Sequence, residues 1–226
     1  MSRMFKSITR TWNVYVGCWF GCSYCNARKA AETRFRHIPR YKDGFNPHLV
    51  ESELKRTFKP GQFIFVSYMG DIAFASPSEF VAILERIESY PDTDFLICSK
   101  EPGFFIKWNI WLPPNVVLGT TIETNKPHQF SLAPTPEIRA TWLRFIPHPR
   151  KFLSIEPIMD FDLEELLHWV ELLQPEIIEV GADNYHNHLP EPSPEKLEAL
   201  LTNLRNICPN VIEKDGLERL KERRKK

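Results

Sequence analysis

After Gly61 the chain repeats one order, a short apolar run followed by a longer amphipathic segment, and that order leaves few folds open. Phe63–Tyr68, Phe95–Ser99, Val116–Ile122, Phe152–Ile155 and Ile177–Gly181 read as strands. Between and after them, helices are predicted from Ser76-Pro77 to about Ser89, over Pro136–Ile146, Leu163–Leu173 and Pro194–Ile207, with a short amphipathic segment through Trp108. Apolar strands alternating with helices of this length argue for a parallel sheet joined by helical crossovers. Upstream, Asn13–Gly17 is a candidate first strand and Asn26–Phe35 a helix. Asn46-Pro47 reads as a helix start, with Asn46 as N-cap and Pro47 at the first position. Val211-Ile212 and a charged segment to Lys226 finish the chain. The expectation is an α/β fold, a full or partial (β/α) barrel of about six parallel strands, with residues 1–226 as a single domain.

In such barrels the active site lies at the C-terminal ends of the strands, and polar residues collect there in this sequence. Strand alternation places Ser67 and Met69 with Asp71 on one face, and Cys98 with Lys100. It also groups Gly119 with Thr121 and Glu123, Ser154 with Glu156, and Glu179 with Asp183. The opposite parity is mostly Ile, Val and Leu, suited to lie under helices. Loop starts are polar in any protein, but five strands doing this together favour a polar pocket. A bulge in any one strand would reverse its parity.

The stretch Thr11–Cys25, TWNVYVGCWFGCSYC, carries three cysteines, Cys18, Cys22 and Cys25, spaced by three residues and then two. Thiolates this close are normally gathered by a metal. A closed structural zinc or [4Fe–4S] site takes four protein ligands, whereas this run supplies three. Three thiolates leave one iron of a cluster without a protein ligand, free to bind a substrate or cofactor. The competing reading is a structural zinc with His37 as fourth ligand, in a binding module without turnover. It leaves the polar strand ends unexplained. The remaining cysteines, Cys98 and Cys208, lie far apart and imply no disulfide framework, which fits a reducing compartment.

Lysine plus arginine and aspartate plus glutamate both number 29, so the chain lacks the basic excess of a dedicated nucleic-acid binder. No apolar run approaches the roughly 20 residues of a membrane span. The start, MSRMFKSITR, lacks the apolar core of a signal peptide, so a cytoplasmic location is expected.

Cys18-x-x-x-Cys22-x-Tyr24-Cys25, with an aromatic before the last cysteine, resembles the signature of the radical S-adenosylmethionine (SAM) superfamily. Four blocks extend the resemblance to an uncharacterised, phage-associated branch of it: Thr11-Trp12-Asn13, Ser99-Lys100-Glu101-Pro102, Gly119-Thr120-Thr121-Ile122-Glu123 and Ser154-Ile155-Glu156-Pro157. More distantly, the same architecture is similar to the spore photoproduct lyases. The superfamily's Gly-Gly-Glu after its second strand is represented by Met69-Gly70-Asp71, one carbon shorter at the carboxylate. The Gly-rich block expected after strand six is matched only in part, by Val180-Gly181-Ala182-Asp183-Asn184.

The resemblance implies a [4Fe–4S] cluster on Cys18, Cys22 and Cys25, with S-adenosyl-L-methionine on the open iron. It implies reductive cleavage to a 5′-deoxyadenosyl radical, and an electron donor such as ferredoxin or flavodoxin. Tyr24 would lie beside the adenine, Lys100 would meet the SAM carboxylate, and Thr121 and Glu123 the ribose hydroxyls. Asp71, next to Gly70, or Glu156 would take the amino group or ribose. Cys98 reads as core or as a hydrogen-atom donor, and His186-Asn187-His188 as a solvated loop. The substrate is open, a nucleic acid or nucleotide being the leading candidate. The segment from Arg28 to Lys42 carries seven basic residues around Phe35 and Tyr41, a pattern suited to phosphate contact and base stacking at the barrel rim.

Overall fold

The computed structural model describes residues 4–108 and 111–222. In chain order it holds β1 (Arg10–Trp12), β2 (Tyr15–Val16), α1 (Asn26–Glu32), β3 (His48–Leu49), β4 (Phe63–Val66), α2 (Pro77–Glu88), β5 (Asp94–Cys98) and α3 (Gly103–Trp108). There follow β6 (Val116–Thr121), α4 (Pro136–Phe145), β7 (Lys151–Ile155), α5 (Leu163–Leu173), β8 (Ile177–Val180), α6 (Pro194–Ile207), β9 (Val211–Glu213) and α7 (Glu218–Lys221). Short 3₁₀ turns at Pro39–Tyr41, Glu51–Lys55 and Ile72–Phe74 complete it.

Seven strands form one sheet in the order β1-β4-β5-β6-β7-β8-β9, every neighbouring pair parallel. Sequential strands therefore lie side by side, and the sheet curls into a half-barrel open between β1 and β9. The expected α/β partial barrel is what forms, with two corrections near the start. The first sheet strand is Arg10–Trp12, and the segment taken for it, Asn13–Gly17, supplies only β2, which pairs antiparallel with β3 outside the main sheet. Asn46-Pro47 opens no helix. The chain after it is extended, and Val50 N donates to Val14 O at 2.7 Å to continue the β2–β3 arm.

The helices stay where the sequence places them because their start signals are strong. Ser76 caps α2 in a reciprocal box with Glu79, and Thr135, Asp162 and Ser193 cap α4, α5 and α6 with side-chain oxygens. Each then buries one stripe, as in α6 with Leu197, Leu200, Leu201 and Leu204. At about 1.5–3 kcal/mol per buried leucine, such a stripe contributes roughly 6–12 kcal/mol before entropy is charged against it. The sheet's outward side chains, such as Val66, Ile97, Leu118, Ile155 and Val180, belong to this helix-side core.

Inward side chains form a separate layer. Phe65, Leu96, Val117 and Phe152 meet Phe5 and Ile8 of the N-terminal segment, which crosses the hollow of the sheet. The Phe5 ring lies 5.0 Å from that of Phe65 and 4.8 Å from that of Phe152. Glu179, fully buried, fixes this segment by accepting from Lys6 N and Ser7 N, both at 2.8 Å, and from Ser7 Oγ at 2.6 Å. The hollow is thus plugged towards the N-terminal ends of the strands and left open at their C-terminal ends. No described helix is long and apolar enough to cross a membrane.

Candidate functional site

The open end of the half-barrel holds a cavity of about 460 Å³, within the usual range for ligand sites. Cys18, Cys22 and Cys25 all line it, from the loop between β2 and α1. Two glycines set that loop's departure. Gly17 sits at φ +86°, and a Cβ there would fall 2.2 Å from Asn46 O. A Cβ on Gly70 would fall 2.8 Å from Gly17 N and O. Only glycine at both positions lets the backbones approach, so that Gly17 N donates to Met69 O at 2.9 Å and Asp71 N to Gly17 O at 3.1 Å.

Local donors surround the sulfurs. Phe20 N donates to Cys18 Sγ at 3.4 Å and Arg28 N to Cys25 Sγ at 3.3 Å, while Cys22 Sγ lies 3.1 Å from Ser131 Oγ. Burial pushes the thiols of Cys18 and Cys25 above the ordinary thiol range. Deprotonating them therefore requires a cationic partner, as a cluster's irons would provide. Among the described residues no three His, Cys, Asp or Glu side chains converge as one ion requires. His37 is exposed and outside the cavity, so it completes no zinc site. A [4Fe–4S] cluster instead spreads its thiolates over separate irons, and three sulfurs facing one roomy cavity fit that demand.

The strand-end polars of β4 to β6 meet the cysteines in the same cavity. Asp71 is buried; Ser99 Oγ at 2.6 Å and Ala73 N at 3.0 Å donate to Oδ1, and Lys100 N at 3.0 Å donates to Oδ2. Burial nonetheless raises its pKa, against the pull of those donors. Tyr24 is pinned by its hydroxyl, which donates to Glu123 Oε1 at 2.6 Å and accepts from Lys100 Nζ at 2.7 Å. Lys100 also pairs directly with Glu123. Thr121 and Cys98 line the wall, and burial pushes the Cys98 thiol up to about 12.

Glu123 does not itself line the cavity. It is fully buried behind Tyr24 and Lys100, and its Oε2 accepts from Arg139 Nη2 at 2.8 Å. Burial alone would raise this carboxyl's pKa, but Arg139 and Lys100 outweigh it and hold the group well below the ordinary carboxylate range. Arg139, on α4, is also fully buried and donates to Thr121 O. Sequence reasoning missed it. The available signal was its register, since 139 shares a face with the buried Pro136, Ala140 and Leu143.

Glu156, after β7, stands elsewhere in the site, paired with Lys214 just beyond β9. Gly181 makes room for it, since a Cβ there would lie 2.6 Å from Glu156 Oε1. Asp183 lines the cavity, and so does Asn187, whose amide donates to Asp183 Oδ1 at 2.6 Å. The loop read as solvated therefore turns one side chain inward, while His186 and His188 are exposed. Ser67 and Met69 do not line the cavity: Ser67 Oγ accepts from Tyr15 N, and Met69 packs with Val16 and Phe45.

The basic segment behaves differently from the expected stacking platform. Tyr41 is buried, and Phe35 packs beside it at 6.2 Å under the cysteine loop. Arg28 donates to Cys18 O at 2.6 Å, and Arg40 pairs with Glu53 at 3.0 Å. Lys29, Arg34, Arg36, His37 and Lys42 are exposed, and no residue from 28 to 42 lines the cavity. Residues 223–226 of the basic C-terminal run lie outside the described residues.

A spore photoproduct lyase variant, solved with AdoMet and a dinucleoside spore photoproduct bound, has a similar fold. The TM-score is 0.58 at 8% identity, over 94% of this chain and 78% of that one. No curated protein matches the chain. A family model described as "protein of unknown function (DUF5131)" matches residues 5–174, which span the N-terminal plug, all three cysteines and every strand end through Glu156, and the chain belongs to that family.

Proposed function

We propose that the protein is a radical SAM enzyme acting on a nucleic acid or nucleotide. In this reading Cys18, Cys22 and Cys25 hold a [4Fe–4S] cluster, and SAM occupies the adjoining wall. The observation that carries it is the meeting, in one cavity, of three cysteines and Tyr24 of their loop with Asp71, Lys100 and Thr121 from successive strand ends. The similar fold of a protein solved with AdoMet and a dinucleoside adds support to the choice of cofactor and substrate class. Cluster and SAM together supply one-electron cleavage of a sulfonium and hydrogen abstraction from the substrate.

The chain's own residues bind and orient. Asp71 keeps a lone pair on Oδ2 for an ammonium donor. The Lys100 ammonium, shared between Glu123 and Tyr24, sits within reach of a carboxylate entering the cavity. Glu123 sets the Tyr24 ring as a fixed wall instead of touching ribose. Ferredoxin or flavodoxin would deliver the electron. Anaerobically purified protein should be brown, with about four irons and four sulfides per chain, and should bind SAM by calorimetry. Replacing Cys18, Cys22 and Cys25 by alanine should bleach it, while Cys98→Ala and Cys208→Ala should not. A colourless protein carrying a single zinc would overturn the proposal.

A further inference from the structure

The polar neighbours of the three cysteines are not alike. Phe20 N and Arg28 N, which donate to Cys18 and Cys25, belong to the cysteine loop and to the helix that Cys25 caps. Cys22 instead meets a side chain from another element. Ser131 Oγ, 3.1 Å from its sulfur, lies in the segment between β6 and α4, 109 residues along the chain. Two backbone bonds clamp that segment to the cysteine loop. Ser23 N donates to Phe130 O at 2.9 Å and Leu132 N to Phe20 O at 2.7 Å, one on either side of the Cys22–Ser131 contact.

The direction of the contact follows from what else the hydroxyl touches. Ala133 N donates to Ser131 Oγ at 3.1 Å, which occupies a lone pair and leaves the hydroxyl proton for the sulfur. A thiolate has no proton of its own to give, so as a metal ligand Cys22 can only accept here. Gly21 and Ser23, its neighbours in the chain, are both exposed. Cys22 therefore lies close to the outer surface, where an electron carrier could approach.

We propose that Ser131 sets the reduction potential of the cluster through the hydrogen bond its hydroxyl donates to the Cys22 thiolate. The inference rests on the reading of Cys18, Cys22 and Cys25 as cluster ligands. Reduction brings in one electron from the carrier protein, and with it one negative charge. A hydrogen-bond donor fixed on a ligand sulfur stabilises the more negative state more strongly, and so raises the potential. Because the segment is clamped, the hydroxyl is in place before the charge arrives and needs no reorganisation. Removing it should make reduction about tenfold less favourable, a shift of about 59 mV to more negative potential for one electron.

The test is a redox titration of the anaerobic holo-protein followed by electron paramagnetic resonance, at matched iron content and without SAM or substrate. Ser131→Ala should titrate at the more negative potential, and Ser131→Thr, which keeps a hydroxyl, at the wild-type value. Ser131→Val has the shape of the threonine variant without its hydroxyl, so that pair reads the same bond at constant volume should the alanine variant fail to hold a cluster. Leu132→Ala, in the same segment with its side chain 83% exposed, should leave the potential unchanged. Equal potentials in wild type and Ser131→Ala, equal potentials in the threonine and valine variants, or a Leu132→Ala shift as large as that of Ser131→Ala would overturn the role of Ser131 while leaving the cluster reading intact. A wild-type protein with no reducible iron–sulfur signal would sink both.

Discussion

Replacing Arg139 by methionine tests whether the wall beside the cysteines is held by charge. Arg139 and Glu123 are each fully buried, joined at 2.8 Å, and Arg139 also satisfies Thr121 O. Removing the guanidinium strands Glu123 with Lys100 as its one cation and leaves a carbonyl short of a donor. Breaking a buried pair from one side costs about 3–5 kcal/mol, against a total stability of roughly 5–15 kcal/mol. With a urea slope near 3 kcal/mol/M at most, the midpoint should fall by about 1–2 M. The double variant Glu123→Gln/Arg139→Met strands no charge and should recover much of that loss, giving a coupling of a few kcal/mol.

Equilibrium unfolding followed by circular dichroism, at matched iron loading, reads all three. The pH dependence supplies a second check. Glu123 has its folded pKa depressed below the ordinary value of 4.5, burial being outweighed by Arg139 and Lys100. Its contribution is therefore fully present above about pH 4.5 and is lost as pH falls below that value. The gap between wild type and Arg139→Met should close on acidification. A single variant with a wild-type midpoint, or a double variant no better than the single, would refute the charge argument.

Two further outcomes follow from the same geometry. Gly70→Ala places a Cβ 2.8 Å from Gly17 backbone atoms, so thermal unfolding should drop by several degrees and the cysteine loop should lose iron; unchanged melting and iron content would count against the close-approach role. Glu179→Ala removes three acceptor contacts from Lys6 and Ser7, and should cost about 1–3 kcal/mol while speeding amide exchange at both residues; protected amides in the variant would show that the Phe5–Ile8 packing suffices.

What could be read from the sequence depended on how much of each signal was local. Parallel strands covered on both faces become apolar runs, and capped helices announce their ends, so α5 and α6 lie where predicted. β1 carries no such signal, because three residues beginning with an exposed arginine form an edge. Asn46-Pro47 misled because a cap residue and a fixed φ suit an extended turn as well as a helix start. The same limit governed the site. Inward parity correctly grouped Lys100, Thr121 and Glu156 at the cavity, but it could not say that Glu123 spends its oxygens on Arg139, Lys100 and Tyr24. Partnership between side chains set by different strands is a property of the curl.

Arg139 and Lys214 nevertheless share a feature that a sequence does display. Arg139 occupies an apolar register of its helix. Lys214 follows Ile212 by two residues, and Ile212 pairs with the inward Glu179, so the lysine falls on the inner parity of a strand too short to attract notice. A cation in a core register must find an anion or unfold the protein. Each of these two found a glutamate at a strand end. The cavity's two polar ends are therefore built alike, one around Glu123 behind Tyr24 and Lys100, the other around Glu156 and Lys214. The difference is that the first carboxylate is shielded from the cavity while the second faces it. The shielded pair can only hold a wall in place, and the exposed pair is free to exchange part of its mutual contact for a ligand.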